Sequence, residues 1–346
     1  MPHIISRNAV SVERNWLIEL EKAISDPVKL LNQLKIPSKY WQVDLDDEPD
    51  FAVKKRFPLR VPQSYIDKME MGNIHDPLLR QVLPLNEEFE IVPGYSSDPL
   101  DEQNIDQPGL LHKYRNRALL ILKSGCAINC RYCFRRHFPY EENKGSKSVW
   151  QKSLTYIHAH AELNEVILSG GDPLMAKDHE LEWLIDEIGK ISHIKRLRIH
   201  SRLPVVIPSR VTNELCRNLH STGLNVIMVS HINHTNEIDD NLRIAFSALK
   251  RAGITLLNQS VLLKGVNDSV DAQVALNETL FDAGIQPYYL HVLDKVQGAA
   301  HYYVSDQRAK AIITEMMTKV SGYMVPRLTR EIGGRPSKTP LNLNLE

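Results

Sequence analysis

Apolar runs of strand length alternate with helical patterns along most of the chain after Pro108. The first run, Ala118–Lys123, is almost continuously apolar, which is typical of a strand buried on both faces of a parallel sheet. Five further runs of this kind follow it. They are Glu165–Leu168, Leu197–His200, Asn225–Val229, Thr255–Asn258 and Pro287–Val292.

Helix-length segments separate these predicted strands. The clearest is Glu237–Arg251, whose apolar residues Ile238, Leu242, Ala245 and Leu249 share one face. The others are Val149–His160, Asp178–Gly189, Val211–His220 and Ala272–Ala283. Six strand–helix alternations predict an α/β fold with a parallel sheet and crossover helices, either doubly wound or curled into a barrel.

The residues before Pro108 show no such alternation. Asp26-Pro27 predicts a helix start, with Asp as the N-cap, and a second helix is predicted from Ser64 to near Gly72. The chain then becomes rich in Pro, Asp and Glu. We therefore expect a helical N-terminal region and linker over residues 1–107, a barrel over 108–303, and a C-terminal segment with one more helix over 304–346.

The charge balance narrows the range of partners. The chain has 42 Lys and Arg against 42 Asp and Glu, which does not favour direct nucleic-acid binding. Its N-terminus lacks the pattern of a signal peptide, and no apolar run approaches the roughly 20 residues that cross a bilayer. We therefore expect a cytoplasmic protein without membrane contact.

Polar residues follow the carboxyl ends of all six predicted strands. In barrel enzymes these ends lie on one rim, where the chemistry takes place. The sequence therefore predicts a functional site built from several segments. In chain order the residues are Cys126, Ser169 to Asp172, Ser201 and Arg202, Ser230 and His231, Gln259 and Ser260, and Asp294.

Three of the four cysteines are clustered. Cys126, Cys130 and Cys133 have C-x3-C-x2-C spacing on a predicted loop, and three such thiolates can hold three corners of a [4Fe–4S] cluster. The fourth, Cys216, lies within a predicted helix, so one iron would stay open to a ligand. Two alternatives remain at this point, a zinc site completed by His137 and a redox pair formed by Cys130 and Cys133.

The cysteine motif after the first strand, together with Gly170-Gly171-Asp172 after the second, resembles the radical S-adenosylmethionine superfamily. The resemblance implies a partial, TIM-like (β/α)6 barrel in which S-adenosyl-L-methionine chelates the open iron. Backbone groups around Gly170 and Gly171 would receive its amino group. Ser201 and His231 would surround it on the rim, although each could instead cap a strand end.

A narrower resemblance, to the lysine 2,3-aminomutases, covers nearly the whole chain. It is strongest to the short branch that prepares (R)-β-lysine for the modification of elongation factor P. The resemblance implies an isomerase that converts L-α-lysine to β-lysine with a 5′-deoxyadenosyl radical and pyridoxal 5′-phosphate. The matching segments are LHKYRNRALL, CRYCFRRHF, LSGGDPL, RIHSRLPVVIP, SHINHTNE, LNQSVLLKGVND, PYYLHVLDKVQGAAH and GGRPSKTPL.

The resemblance also assigns individual roles. Lys338 would hold pyridoxal phosphate, and Arg117 and Gln259 would contact its phosphate. Arg135 would pair with the substrate carboxylate, because a guanidinium can bind a carboxylate through two hydrogen bonds. Asp294 would receive the substrate ε-ammonium.

Glu331 departs from the family pattern, since the free-lysine enzymes carry an aspartate at this position. Its carboxylate reaches one methylene further, which affects the preference for free lysine. The larger enzymes also carry extra cysteines for a structural zinc. This chain lacks those cysteines, so the oligomer contacts of the larger enzymes cannot be assumed for a homo-oligomer of this chain. Partners implied by the resemblance are lysine, elongation factor P and its β-lysine ligase. The alternatives are a radical enzyme without pyridoxal phosphate, a radical enzyme acting on another amino acid or on a protein-bound lysine, and a zinc-stabilised interaction module.

Overall fold

The computed structural model describes residues 15–40, 57–103, 107–140, 142–143 and 145–343. Its strands form one sheet whose spatial order is the order of the chain. They are β1 Leu110–Tyr114, β2 Arg117–Lys123, β3 Glu165–Gly170, β4 Arg196–Ser201, β5 Asn225–Ser230, β6 Thr255–Val261, β7 Gln286–His291, β8 Arg327–Arg330 and β9 Thr339–Pro340.

Neighbouring strands from β2 to β8 are parallel, while β1 and β9 are antiparallel at the two edges. A sheet of sequential parallel strands with crossovers of one hand curls round in one direction. Within the described residues β1 and β9 pair with one neighbour each, so the barrel is partial. The predicted fold class is confirmed.

The six predicted strands correspond to β2 through β7. The sequence pattern missed β1 and β8, and β8 adds a seventh parallel strand next to β7. Its four residues, RLTR, contain one large apolar side chain, Leu328, which packs in a small cluster with Leu290 and Ile312. One apolar residue between charged ones is too weak a pattern to predict a strand.

Helices in the described residues connect the strands and cover the sheet. The α-helices that both begin and end within those residues are α1 Pro27–Gln33, α2 Gln63–Ile66, α3 Lys147–Ala159, α4 Asp178–Gly189, α5 Leu203–Val206, α6 Asn213–Ser221, α7 Asp240–Arg251, α8 Val270–Asp282 and α9 Asp306–Met316. Short 3-10 turns occur at Ser38–Tyr40, Leu79–Gln81, Asn86–Phe89, Pro173–Met175, Pro208–Arg210, Thr235–Glu237, Ala300–Tyr302 and Gly322–Met324. None of the described helices has the length and apolarity that a bilayer crossing requires.

Side-chain caps determine where several helices begin. Asp26 caps α1, as predicted, by accepting a hydrogen bond from the amide of Val28. Thr212 and Asp239 cap α6 and α7 in the same way, so both helices start later than their apolar patterns suggested. The second predicted N-terminal helix is wrong in length: α2 has no side-chain cap and ends at Ile66.

The main core lies between the sheet and the helices. Ala118, Leu120 and Leu122 of β2 point outward into it, and α3 contributes Trp150 and Leu154. The predicted face of α7 is confirmed, since Leu242 and Leu249 are fully buried. Side chains alternate along a strand, so the remaining positions face the barrel interior. Many of these are polar, including Arg117, Arg198, His200, Gln259 and His291.

Helix α7 offers a matched test of this packing. Leu242→Ala should lower the free energy of unfolding by about 2–5 kcal/mol, because a fully buried side chain is replaced by a cavity. Ile244→Ala on the same helix should change it by less than about 0.5 kcal/mol, because Ile244 is 67% exposed. Urea denaturation followed by circular dichroism measures both. Equal losses in the two variants would contradict the assigned face.

Candidate active site

The three clustered cysteines lie on the loop that follows β2. The loop turns back on itself where the amide of Cys133 donates to the carbonyl of Cys130 at 3.0 Å. Burial, with the neighbouring Cys130, raises the pKa of the Cys133 thiol to about 11, and burial raises that of Cys126 well above its usual value. Three enclosed thiols in mutual electrostatic contact are a donor set that fits a cluster able to stabilise all three as thiolates.

The zinc alternative gains no support from the geometry. No group of three or more His, Cys, Asp or Glu side chains in the described part of the chain is arranged to hold a metal ion, and this includes the three cysteines together with His137. His137 instead directs Nε2 towards the carbonyl oxygen of Gln297 at 3.1 Å. All four cysteines are free thiols, so Cys130 and Cys133 are not joined as a disulfide.

The N-terminal region holds the cysteine loop from outside. Glu88 is buried and accepts hydrogen bonds from Arg131 at 2.8 and 2.5 Å and from Arg136 at 2.6 Å. Burial alone would raise the pKa of Glu88, but the two guanidinium groups lower it below its ordinary value. The amide of Arg131 also donates to the carbonyl of Gln81 at 2.9 Å. The segment between Cys130 and His137 is therefore held in place by ion pairs and by a backbone hydrogen bond.

Gly170 and Gly171 bring the end of β3 against the start of the cysteine loop. A Cβ on Gly171 would lie 2.5 Å from the carbonyl oxygen of Gly125, and one on Gly170 would lie 2.7 Å from that of Lys123. Gly170 also has a φ of +124°. The amide of Gly171 donates to the Lys123 carbonyl at 2.7 Å. The two glycines therefore allow a close contact between two backbone segments, and the ligand contact that the sequence suggested there stays a prediction.

Asp172 and Ser201 bind one another at the ends of β3 and β4. The Ser201 hydroxyl donates to the Asp172 carboxylate at 2.8 Å, and the amides of Leu174, Arg202 and Leu203 donate to it at 2.8–3.0 Å. Both side chains are buried. In this structure they fasten two strand ends together, which is the capping role that the sequence left open for Ser201.

The barrel interior contains buried polar atoms without partners among the described residues. They are Nε2 of His200, Nε2 of His291 and Oε1 of Gln259. Buried polar atoms are almost always hydrogen-bonded, so these atoms fit a polar ligand inside the barrel. Gln259 also lies 3.3 Å from the imidazole of His231 through its Nε2. Burial lowers the pKa of His231 to about 3 and those of His200 and His291 well below 6.5, so all three rings are neutral.

His200 and His291 are residues that the sequence reasoning missed. Each occupies an inward position on a predicted strand, and His291 lies within the aminomutase-like segment PYYLHVLD. The sequence feature that could have identified them is an imidazole at a position where aliphatic side chains usually fill a barrel.

Lys338 lies at the barrel mouth and not on a solvated tail. The pairs Thr329–Pro340 and Arg330–Thr339 return the chain antiparallel to β8. Lys338 follows the Gly333-Gly334 turn, forms an ion pair with Glu331, and is 22% exposed. Its ammonium also lies 5.8 Å from the ring centre of Tyr289.

Glu331 connects this lysine to a pocket inside the barrel. It accepts a hydrogen bond from the hydroxyl of Tyr114 at 2.8 Å. Arg117 stacks on the Tyr114 ring with 4.0 Å between its guanidinium carbon and the ring centre. The pocket is lined by Glu102, Leu111, Lys113, Tyr114, Arg117, Leu119, Ile167 and Glu331.

Arg135 borders the same pocket through Glu102. Its Nε donates to the Glu102 carboxylate at 2.6 Å and its Nη1 donates to the Ser169 hydroxyl at 3.1 Å. Lys113 binds the other carboxylate oxygen at 2.8 Å. Glu102 was also missed by the sequence reasoning, because it lies in a Pro- and Asp-rich stretch without periodicity.

Asp294 follows β7 and is electrostatically linked to the same groups. Burial, and then the negative charge of Glu331, raise its pKa to about 7, while Lys338 acts in the opposite direction. A carboxyl group in this state binds a cation more strongly once it has lost its proton. Of the predicted residues, Arg117 and Glu331 line this pocket, Lys338 and Asp294 interact with Glu331, and Arg135 contacts the pocket residue Glu102.

Comparison of the sequence with known proteins identifies a family and several relatives. Residues 120–272 match the family model of the radical SAM superfamily. The chain is 57% identical over 345 residues to the L-lysine 2,3-aminomutase of Escherichia coli (strain K12), covering 100% of this chain and 99% of the relative. It is 56% identical over 328 residues to that of Haemophilus influenzae, covering 94% and 95%. It is 48% identical over 337 residues to that of Buchnera aphidicola, covering 96% and 97%.

The contact at Gly171 makes a stability prediction. Gly171→Ala should lower the free energy of unfolding by about 1–3 kcal/mol, because its Cβ would meet backbone that cannot rotate away. Gly322→Ala is the control, since a Cβ there meets nothing within 4 Å, and a change below about 0.5 kcal/mol is expected. Chemical denaturation measures both. A Gly171→Ala protein as stable as the control would show that the two backbone segments do not pack as described.

Proposed function

Because the chain belongs to the lysine 2,3-aminomutase family of radical SAM enzymes, we propose that it converts L-α-lysine to β-lysine by moving the α-amino group to the neighbouring carbon. One chain of contacts carries the proposal. Arg135, two residues from Cys133, binds Glu102, and Glu102 lines the same pocket as Glu331, the partner of Lys338. These contacts support the proposal that the thiols and the lysine serve one cavity.

Cys126, Cys130 and Cys133 would hold a [4Fe–4S] cluster whose open iron takes S-adenosyl-L-methionine. When bound, these two groups supply the radical that removes hydrogen from an unactivated C–H bond, which no side chain can do near neutral pH. The chain positions them. Ser201 and Asp172 fix the strand ends beside the loop, and the neutral ring of His231 can donate or accept a hydrogen bond there.

Lys338 would hold pyridoxal 5′-phosphate, with Arg117 and Gln259 at its phosphate. When bound, the cofactor carries the migrating amino group. A lysine must lose its proton to take up this cofactor. That proton would pass to solvent, while Glu331, in contact with Nζ, stays a carboxylate. Once Lys338 is committed to the cofactor, Glu331 loses its ammonium partner.

The substrate's own charges match the groups that remain. Its ε-ammonium would replace the Lys338 ammonium at Glu331 and also contact Asp294. Its carboxylate would bind Arg135, whose guanidinium is held in place by Glu102 and Ser169. Glu102 and Ser169 use Nε and Nη1, so Nη2 is the guanidinium nitrogen that those two contacts leave for the substrate. A zwitterion with a second amine is thus bound at both ends.

We further propose that the product is (R)-β-lysine and that it serves the modification of elongation factor P by its β-lysine ligase. The resemblance to the short branch supports this role. The longer reach of Glu331 bears on how strongly free lysine is bound. The assay is designed to distinguish free lysine from the two alternative substrates, which are a protein-bound lysine and another amino acid.

The assay uses anaerobic, reconstituted protein with L-lysine, S-adenosylmethionine, pyridoxal phosphate and dithionite. We expect β-lysine that depends on both cofactors and is the (R) enantiomer in chiral chromatography. Lys338→Ala should lose β-lysine formation and the borohydride-reducible attachment of pyridoxal phosphate while keeping the iron and sulfide of the cluster. Lys264→Ala, at an exposed position, should retain all of these.

Each other outcome of the assay is informative. 5′-Deoxyadenosine without β-lysine would contradict free lysine as the substrate, and the same test would then be run with elongation factor P. β-Lysine from Lys338→Ala at the normal rate would contradict the assigned cofactor lysine. Neither product, from protein that contains the cluster, would contradict the proposed reaction.

Asp294 predicts how lysine binding depends on pH. In the ligand-free protein its pKa is about 7, so below that pH a proton must be displaced before the ε-ammonium can bind. The KM for L-lysine should therefore rise about tenfold between pH 8 and pH 6, since the fraction of Asp294 that is ionised falls about tenfold over that range. His200, His231 and His291 stay neutral in this range because their pKa values are lowered.

Steady-state assays between about pH 6 and 8 check this prediction. Asp294→Asn should raise the KM and flatten its pH dependence, because the titrating carboxyl group is gone. Asp282→Asn, at an exposed position, should behave as the unmodified protein does. A KM that is the same at both ends of the range in the unmodified protein would exclude Asp294 as the ammonium site.

A further inference from the structure

A buried arginine reaches one of the cluster cysteines. Arg202 follows β4, and its Nη1 lies 2.7 Å from Sγ of Cys130 and 2.6 Å from the hydroxyl of Tyr132. Its side chain is 7% exposed. A guanidinium N–H that points at a cysteine sulfur in a dry site is a charge-assisted donor, and such donors are stronger than neutral ones.

The other guanidinium nitrogen is fixed by three partners. Nη2 lies 2.7 Å from Oε1 of Gln81, 2.8 Å from Oε2 of Glu237 and 3.1 Å from the hydroxyl of Tyr65. All three partners are fully buried. Arg202 therefore cannot leave Cys130 without breaking several buried hydrogen bonds. Each buried group left without a partner would cost free energy.

The negative partner lies on the far side of the guanidinium. Glu237 binds Nη2, and its other oxygen accepts hydrogen bonds from the amides of Asn233 and His234 at 2.8 and 3.1 Å. Nη1, the nitrogen that faces Cys130, contacts the cysteine sulfur and the neutral hydroxyl of Tyr132. The positive end of the ion pair is thus directed at the cysteine sulfur.

We propose that Arg202 is a positioning residue that raises the reduction potential of the cluster through the Cys130 sulfur. Reduction adds a negative charge to the cluster, and a fixed cation that donates to a ligand sulfur stabilises the reduced form more than the oxidised one. Tyr65 and Gln81 belong to the N-terminal region, which therefore takes part in setting this potential. The inference rests on the cluster assigned to Cys126, Cys130 and Cys133.

A redox titration of the reconstituted protein tests the proposal without lysine or turnover. The fraction of reduced cluster is followed by electron paramagnetic resonance at set potentials, with iron and sulfide content measured for each sample. Arg202→Gln should make the midpoint potential more negative by about 59 mV. For a one-electron couple this corresponds to a tenfold change in the redox equilibrium constant. Arg202→Lys should shift the potential less, because the positive charge is kept and only the planar guanidinium with its several donors is lost.

Arg210→Gln is the matched control. Arg210 is also fully buried, but its guanidinium lies against the ring of Trp16 at 4.8 Å and binds the carbonyls of Leu174 and Ala176, outside the cysteine loop. Its loss should destabilise the protein without changing the potential. A shift in this control as large as that in Arg202→Gln would overturn the proposal, since it would then reflect general loosening.

Tyr65→Phe keeps the test decisive if Arg202→Gln does not fold. It removes one hydrogen bond to Nη2 and keeps the ring, so a smaller negative shift is expected. An unchanged potential in Arg202→Gln with full iron content, or in Tyr65→Phe if the first variant does not fold, would overturn the proposal. Absence of any cluster in the unmodified protein would instead refute the proposed function, so the two failures are distinguishable.

Discussion

The pairing of buried charges is the constraint on which this site depends. A charge taken out of water is costly unless a partner of opposite charge and further hydrogen bonds replace the lost hydration. Six cationic side chains around the cysteine loop and the barrel mouth meet this condition through a specific carboxylate. The pairs are Arg131 and Arg136 with Glu88, Arg135 and Lys113 with Glu102, Arg202 with Glu237, and Lys338 with Glu331.

Two of these carboxylates, Glu88 and Glu102, come from the segment before the barrel. That segment is therefore required by the site and is more than a cover for the sheet. Removing Glu88 would leave two buried cations without their anion, and removing Glu102 would leave the buried Arg135 and the half-buried Lys113 without theirs. Such a loss is generally far more destabilising than the pair is stabilising. The N-terminal segment and the cysteine loop are thus linked by the same interactions.

The pattern of apolar residues predicted the scaffold better than it predicted the support of the site. The strands β2 to β7 and the face of α7 were visible because burial repeats with a regular period. Glu88 and Glu102 have no such signal, since each is one acidic residue in an irregular stretch. Their partners Arg131 and Arg135 lie 43 and 33 residues away in sequence. Only the fold brings such residues together, and single-residue chemistry does not reveal them.

The glycines show a different reason for incomplete prediction. Gly-Gly-Asp correctly marked the end of β3 as a special position, but the sequence could not tell a ligand from a second backbone segment as the neighbour. The structure places Gly125 and Lys123 there. A glycine at a crowded position reports that space is limited, and the identity of the neighbouring group must come from the fold.

The polar lining of the barrel has a cost that the rest of the fold must offset. Aliphatic layers usually fill the interior of such a barrel and contribute to its stability. Here His200, Gln259 and His291 take inward positions and leave buried atoms without partners among the described residues. Most of the apolar contacts lie on the outer face, between the strands and their helices, while Leu111, Ile121 and Phe138 form a smaller cluster on the inward side of β2. This separation leaves polar groups facing the interior, because most of the packing that maintains the fold lies outside it.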